Sequence, residues 1–235
     1  MNKNELLTLL FKDKFLVTGE NEVFHGVGEL GTQKVFILGT ENNTYIGNEI
    51  VLSLSSKILE IIQKNNKEPI LLLVDTLGQK LSHHDELLGI NLYLAHLSKS
   101  IELARLNGHK VISIVRNQAV SGGALCTNLL ADHCYALNSA SIGVMNLPSM
   151  SRITQIPLEK LESLSETSPL FDTNVNNYFV MGALEALWDK SEDLTTLLMT
   201  TINSQSPKDE RRDLGTKRNG RLETLKVSNL VEETI

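Results

Sequence analysis

Residues 111–136 read VISIVRNQAVSGGALCTNLLADHCYA, and this stretch decides the fold that we predict for the chain. Its first five residues, 111–115, are β-branched or small and predict a buried strand. A short polar link leads to the Ser-Gly-Gly sequence at 121–123, and residues 124–131 have the composition of a helix. A strand, a glycine pair and a helix in this order leave backbone N–H groups unpaired at the helix start. Such groups suit an anion, although glycines here are also typical of a tight turn between a sheet and a helix.

Two earlier segments predict the same alternation of strand and helix. Residues 34–38 (KVFIL) and 70–74 (ILLLV) are apolar strands, and residues 49–63 between them carry apolar side chains at helical spacing. The S-x-x-D pattern at 82–85 fits a capping box and predicts one long helix that continues to Arg105. Strands that alternate with helices predict an α/β fold with parallel pairing and right-handed crossovers.

The C-terminal part of the chain predicts shorter elements. Residues 184–188 and 194–203 predict two short helices, and residues 206–235 form a charged tail that ends in an amphipathic helix. We found no internal repeat, low-complexity segment or domain boundary in the sequence. It therefore predicts a single domain over residues 1–235, with residues 206–235 as its charged helical tail.

The composition narrows the class of protein. The 235 residues are 41% hydrophobic and 21% charged, which is typical of a globular chain with a full core. A net charge of -6 argues against broad nucleic-acid binding. No apolar run is long enough to span a membrane, and the N-terminal residues lack a signal-peptide pattern. Cys126 and Cys134 lie in apolar sequence and predict reduced thiols, so we expect a cytoplasmic protein.

Residues 117–136 resemble the second signature of the crotonase (enoyl-CoA hydratase) superfamily. Gly122 and Gly123 fall on its glycine run, and Asp132 and residues 135–136 fall on its closing positions. The resemblance implies a crotonase-like spiral of ββα units with flanking helices. It also implies that the Gly123 amide forms half of an oxyanion hole for a thioester enolate.

The segment VDTLGQ at 74–79 resembles the VDTPG motif of acyl-CoA carboxyltransferases, with Leu77 in place of proline. SGGAL, which begins at Ser121, is similar to their second motif. By this resemblance the second half of the oxyanion hole lies near Gly78 or Gln79. The resemblance thus implies a carboxyltransferase-like domain.

Longer phrases resemble the γ subunit of biotin-independent malonate decarboxylase, from Lys34 to the basic tail. These phrases are DELLGINLYLAHLSKSIELARLNGHKV at 85–111, AVSGG at 119–123, VMNLPSMSRITQIPLEKLESLSETSPLF at 144–171 and NYFVMGALEALW at 177–188. The resemblance implies that the chain pairs with a homologous β subunit. Together the two subunits convert malonyl-S-acyl-carrier-protein to acetyl-S-acyl-carrier-protein and CO2. It also implies an α transferase subunit and a carrier protein whose CoA-derived phosphopantetheine arm holds the substrate, with no cofactor bound directly to this chain.

Three further residues are candidate substrate contacts. Cys126 stands where hydratases carry a catalytic glutamate, and a neutral thiol is a poor base, which disfavours hydration of an enoyl thioester. Loss of CO2 needs no base to form its enolate. Arg152 matches the family phrase and either meets a substrate carboxylate or forms a structural ion pair. His83 either donates to substrate or, with His84, is a solvated residue of the first helical turn.

Two other functions remain open at this point. The chain is alternatively a carboxyltransferase subunit that moves the malonyl carboxyl group to a biotin protein, or a non-catalytic scaffold that completes the pocket of the β subunit. The spacing of Cys126, His133 and Cys134 matches no usual zinc pattern, so we expect no metal. The sequence also predicts neither a nucleic-acid nor a membrane partner.

Overall fold

The computed structural model describes residues 1–166, 168, 171–205 and 209–234, which form an α/β structure around one mixed sheet. The strands in these residues are β1 (Phe15–Glu20), β2 (Val23–Leu30), β3 (Gln33–Thr40), β4 (Thr44–Ile46), β5 (Ile70–Gln79), β6 (Val111–Val120), β7 (His133–Leu137), β8 (Ser141–Gly143) and β9 (Ala186–Trp188). The helices are α1 (Lys3–Phe11), α2 (Asn48–Gln63), α3 (His83–Leu87), α4 (Ile90–Leu106), α5 (Ser121–Leu125), α6 (Leu147–Thr154), α7 (Leu158–Ser165), α8 (Val175–Val180), α9 (Leu194–Asn203), α10 (Arg211–Lys217) and α11 (Thr224–Glu232). Residues 206–208 and 235 of the predicted tail lie outside the described residues.

The sheet changes from antiparallel to parallel pairing at β3. Strands β1, β2 and β3 form an antiparallel meander, and β3, β5, β6, β7 and β9 then pair in parallel in that order. The short strands β4 and β8 pair with the C-terminal parts of β5 and β6. Parallel strands end at the same edge of a sheet. The residues that follow β5 and β6 are therefore neighbours.

The core surrounds the central strands. All five residues of segment 70–74 are buried, as are residues 111–115 of β6, because strands in the middle of a parallel sheet are covered on both faces. Helix α2 packs with Val51, Leu54 and Ile58 toward this core. The predicted helix–strand alternation is confirmed in this region. None of the helices in the described ranges has the length and hydropathy needed to cross a membrane.

The predicted single helix from 82 to 105 is wrong, although its start is right. The Ser82 side chain accepts a hydrogen bond from the Asp85 amide at 3.4 Å and caps α3. Gly89 then adopts φ +81°, a left-handed conformation that ends a helix, and α4 begins at Ile90. The apolar spacing continues across the break, which is why the pattern did not reveal it.

Two other predicted helices are also corrected. Residues 184–188 contain strand β9, because β7 offers a free edge and Tyr135 stacks on Trp188 with ring centroids 4.5 Å apart. Helix α5 ends at Leu125 and does not continue to residue 131. There the Asn128 side chain accepts a hydrogen bond from the Ser113 hydroxyl at 2.6 Å, which draws the chain away from a helical path.

Candidate functional site

The candidate site lies where β5 and β6 end side by side. Strand β5 leads to Gly78 and Gln79, and β6 leads directly into α5, whose first residues are Ser121, Gly122 and Gly123. The structure therefore brings together all five residues that the sequence predicts for the oxyanion hole. The arrangement depends on the parallel pairing of two strands that are 41 to 43 positions apart in sequence.

Gly78 and Gly123 approach each other closely. A Cβ atom added to Gly123 would lie 2.8 Å from the carbonyl carbon of Gly78 and 2.9 Å from Cγ1 of Ile46. Gly78 has φ +103°, and a Cβ there would lie 2.9 Å from the carbonyl oxygen of Val120. Both positions thus require glycine, the first for space and the second for space and conformation.

The amides at this edge have different partners. The Gly78 amide donates to Oγ1 of Thr76 at 3.0 Å, so it is already engaged. Gln79 lies opposite Ile46 of β4, whose carbonyl accepts from the next amide, that of Lys80, at 2.9 Å. In a parallel ladder this pattern turns the Gln79 amide away from β4, to the side on which α5 packs. Of the two predicted second donors, Gln79 has the more suitable amide.

The start of α5 carries backbone strain. Ser121 is a non-glycine residue with φ +56°, a conformation that costs free energy unless its surroundings impose it. No side chain among the described residues caps the α5 N-terminus. The chain therefore turns sharply from β6 into α5 and leaves its first amides for another acceptor.

Cys126 follows Gly123 by three residues, and its thiol is neutral. Its Sγ donates to the carbonyl oxygen of Gly123 at 3.3 Å, and the residue is buried. Burial raises the pKa of this thiol to about 12. It therefore fixes the Gly123 peptide through a weak hydrogen bond and cannot act as a base near neutral pH.

The other two candidates, His83 and Arg152, are exposed on α3 and α6. Within the described residues neither side chain forms an ion pair. The residue that anchors α3 is instead Asp85, whose Oδ1 accepts from the Asn48 amide at 2.9 Å. This hydrogen bond is the largest reason why the pKa of Asp85 lies below its ordinary value, despite the opposing effect of burial.

A buried polar layer beneath the site was not predicted from the sequence. Asp75 and Arg116 form an ion pair inside the sheet, and their side chains are only 2% and 6% exposed. Thr76, one residue along, donates to the Thr44 carbonyl at 2.8 Å. The signal in the sequence was the isolated arginine that follows the apolar run 111–115.

A separate cavity of about 480 Å³ lies at the opposite end of the sheet. Its lining includes His133 and Tyr135 of β7 and the carboxylate of Glu185. The Tyr135 hydroxyl donates to this carboxylate at 3.1 Å, and Nδ1 of His133 lies 3.0 Å from both of its oxygens. The lining also carries the paired side chains of Arg105 and Asp132. In the described part of the chain no group of three or more His, Cys, Asp or Glu residues is placed to hold a metal ion.

Comparison with known proteins agrees with this architecture. The family described as malonate decarboxylase gamma subunit (MdcE) matches residues 41–235. The chain is 34% identical over 139 residues to the malonyl-S-ACP:biotin-protein carboxyltransferase MADD of Malonomonas rubra, which covers 58% of this chain and 48% of that protein. The chain thus spans about half the length of this curated relative.

Two solved Pseudomonas structures share the fold. A malonate decarboxylase hetero-tetramer in complex with coenzyme A matches with a TM-score of 0.82 and 20% identity over 98% of each chain. An MdcD-MdcE hetero-dimer of malonate decarboxylase matches with a TM-score of 0.77 and 20% identity, again over 98% of each chain. These matches confirm the predicted α/β fold. Because the family match covers most of its length, the chain belongs to the malonate decarboxylase gamma subunit family.

Proposed function

We propose that this chain, with a homologous beta subunit, decarboxylates malonyl-S-acyl-carrier-protein to acetyl-S-acyl-carrier-protein and CO2. The observation that carries the proposal is the contact between Gly78 and Gly123, where a Cβ on Gly123 would lie 2.8 Å from the Gly78 carbonyl carbon. We infer from this contact that the amides of Gly123 and Gln79 lie close enough to bind one oxygen atom. Family membership supplies the substrate class, malonate.

The chemistry needs stabilisation of negative charge. When the bond between the carboxylate and the α-carbon breaks, its electron pair forms an enolate, and charge develops on the thioester oxygen. Two fixed amides that bond this oxygen more strongly in the transition state than in the substrate lower the barrier. The enolate then takes one proton at carbon to give the acetyl thioester. We assign the oxyanion contacts to the Gly123 and Gln79 amides, with Gly78, Gly122 and Ser121 shaping the turn.

The neutral thiol of Cys126 supports decarboxylation over hydration. A hydratase needs a base to activate water, and burial raises the pKa of this thiol to about 12. Decarboxylation places no such demand on this position. Arg152 and His83 stay candidate contacts for the substrate carboxylate, and their exposure leaves both free to meet a substrate presented by a partner.

Exposed apolar side chains near the site support a shared active site. Leu125, immediately after the glycines, is 58% exposed, and Val144, which follows β8, is 67% exposed. On α3, Leu87 is 73% exposed. Such side chains favour burial against another protein. We propose that the beta subunit covers this edge, and that the carrier protein brings its CoA-derived phosphopantetheine arm to it after an alpha subunit has loaded malonate.

The organisation of the chain fits a single carboxyltransferase-like domain over residues 1–235. One hydrophobic core extends from Leu6 to Leu198, which supports this interpretation. Within residues 209–234, helix α11 buries no residue, as expected of a charged tail outside the core. We further propose that the complex works in the cytoplasm. The support is that Cys126 and Cys134 are both free and buried, a state suited to a reducing compartment.

The experiment that tests this function is co-purification of the chain with its beta-like partner, followed by assay of CO2 release from malonyl-carrier protein without biotin. We expect activity that avidin does not inhibit and that this chain alone lacks. The 34% identity to a biotin-protein carboxyltransferase favours a second candidate, transfer of the carboxyl group to a biotin protein. Inhibition by avidin, or a carboxylated biotin product, would replace the first candidate with the second.

A further inference from the structure

The pairing of β5 with β6 shifts by two residues just before the site. Val74 lies opposite Val115, but Thr76 lies opposite Ala119. One residue of β5, Asp75, therefore faces the three residues 116–118 of β6. An irregularity of this kind leaves backbone amides of the longer strand without ladder partners.

The Asp75 carboxylate fills this gap. Its Oδ1 accepts from the Gln118 amide at 3.3 Å, and its Oδ2 accepts from the Asn43 amide at 3.3 Å and from Nη2 of Arg116. Asp75 is buried, so these hydrogen bonds replace those that its carboxylate would make with solvent. The Asp75 carboxylate thus accepts hydrogen bonds from main-chain amides, as main-chain carbonyl groups do elsewhere in the sheet.

Asp75 and Arg116 also form hydrogen bonds with other parts of the chain. The Asp75 amide donates to Oγ1 of Thr40 at 3.2 Å, and the same hydroxyl donates to the Asp75 carbonyl at 2.9 Å. The Arg116 side chain donates through Nη1 to the Met1 carbonyl at 2.8 Å. The pair therefore links β6 to β5, to the end of β3 and to the N-terminal residues.

The shift sets the position of the glycines. Each strand residue advances about 3.3 Å, so the two extra residues of β6 displace everything after them by about 7 Å relative to β5. Without the displacement, Gly123 would pass Gly78 and the two amides of the site would not converge. We propose that Asp75 and Arg116 are positioning residues, which hold the strand register that places Gly123 against Gly78. The predicted effect on rate rests on the proposed decarboxylation.

A similar ion pair at the other end of β6 provides the control. At the opposite end of β6, Asp132 accepts from Nε of Arg105 at 2.9 Å and from the Val111 amide at 2.9 Å. It combines an arginine and a main-chain amide, as Asp75 does. It lies far from the glycines along the strand, so its loss affects stability and not their position.

The test compares Asp75→Asn, the double variant Asp75→Asn/Arg116→Met and Asp132→Asn in the complex with the beta-like partner. Replacing both members of a buried pair avoids an unpaired charge, so the double variant keeps the fold if the single one does not. We expect kcat for CO2 release to fall about 10- to 100-fold in both Asp75 variants with KM within about 2-fold, because a small misplacement of donors affects the transition state most. Asp132→Asn should leave both constants unchanged.

Hydrogen exchange of the amides in residues 121–125 gives a second readout that needs no activity. Faster exchange there in the Asp75 variants, and not in Asp132→Asn, supports the positioning role. This readout stays valid even if the wild-type complex fails to release CO2. That failure would overturn only the proposed function. A folded double variant with wild-type kcat and wild-type exchange in residues 121–125 overturns the positioning role.

Discussion

The Thr76 hydroxyl links two strands at the site: it accepts from the Gly78 amide at 3.0 Å and donates to the Thr44 carbonyl at 2.8 Å. Thr76 is completely buried, so water does not compete for these groups. The hydroxyl thereby fixes the Gly78 peptide, and with it the direction of the following amide, that of Gln79. A main-chain donor needs such support if its position is to be set before the substrate arrives.

We predict that Thr76→Val lowers stability and activity together. Valine has the same shape but leaves the Gly78 amide and the Thr44 carbonyl without their partner, at a cost of about 1–3 kcal/mol. We expect the free energy of unfolding to fall by that amount and kcat of the complex to fall about 10-fold. Urea unfolding and a CO2-release assay measure the two effects.

Thr76→Ser is the matched control for this substitution. It keeps the hydroxyl, so both hydrogen bonds persist and the activity should stay within about 3-fold of wild type. Equal losses of activity in Thr76→Ser and Thr76→Val would contradict this prediction, because they would show that the hydrogen bonds of the hydroxyl do not matter.

The second prediction concerns Asp85, which stabilises the start of α2 from a distant point in the sequence. Its carboxylate accepts from the Asn48 amide, and this bond lowers its pKa from the ordinary 3.8. A lowered pKa in the folded state means that the stabilisation is present above the unfolded-state pKa and is lost as the pH falls through the folded-state value. Asp85→Asn should therefore cost about 1–2 kcal/mol at pH 7 and progressively less below pH 4, as followed by urea unfolding.

Glu86→Gln is the control for Asp85. Glu86 is the neighbouring carboxylate of α3 and is exposed, so its removal should change the free energy of unfolding by less than about 0.5 kcal/mol. A pH-independent loss in Asp85→Asn would contradict the role of its charge at the α2 N-terminus.

The third prediction is that Cys126 contributes no acid–base catalysis. Since burial raises its pKa to about 12, the thiol is protonated throughout the neutral range. Cys126→Ala should keep kcat within about 3-fold, and the pH–rate profile between pH 6 and 9 should not move. Loss of an ionisation from that profile would identify the thiol as a working group.

Stability at high pH provides an independent check on the same thiol. Its folded-state pKa is raised above the ordinary value of 9.0, so its contribution is complete below pH 9 and declines as the pH rises toward 12. Between these values wild type should lose about 1.4 kcal/mol per pH unit more than Cys126→Ala. If the free energy of unfolding depended on pH in the same way in both proteins, the raised pKa would be contradicted.

The sequence predicted the fold well wherever local pattern and tertiary context agree. The apolar segments 34–38 and 70–74 are central strands, and the glycines at 122–123 follow a strand as expected. The break at Gly89 escaped prediction because the apolar spacing runs through it. Strand β9 escaped because only the edge of β7, far away in sequence, makes residues 186–188 extended.

The candidate site was predictable only in its outline. The glycine pair and the segment VDTLGQ pointed to the edge of the sheet where β5 and β6 end, although 74–79 belongs to strand β5. The choice between the Gly78 and Gln79 amides depended on the Thr76 hydroxyl, a side chain that no spacing rule singles out. The Asp75–Arg116 pair depends on a register shift between strands, which the sequence of either strand alone does not show.

The most direct test of the central claim is the rate of CO2 release by the assembled complex carrying Gly123→Val, compared with Gly122→Ala. A side chain at 123 would meet the Gly78 backbone at 2.8 Å, whereas one at 122 would meet only the flexible end of the Gln79 side chain at 2.9 Å. Loss of an oxyanion donor typically costs about 100- to 1000-fold in kcat. We predict a loss of that size for Gly123→Val, with normal assembly by size-exclusion chromatography and a much smaller loss for Gly122→Ala. A Gly123→Val complex that assembles and turns over at the wild-type rate would contradict the account and leave this chain a scaffold.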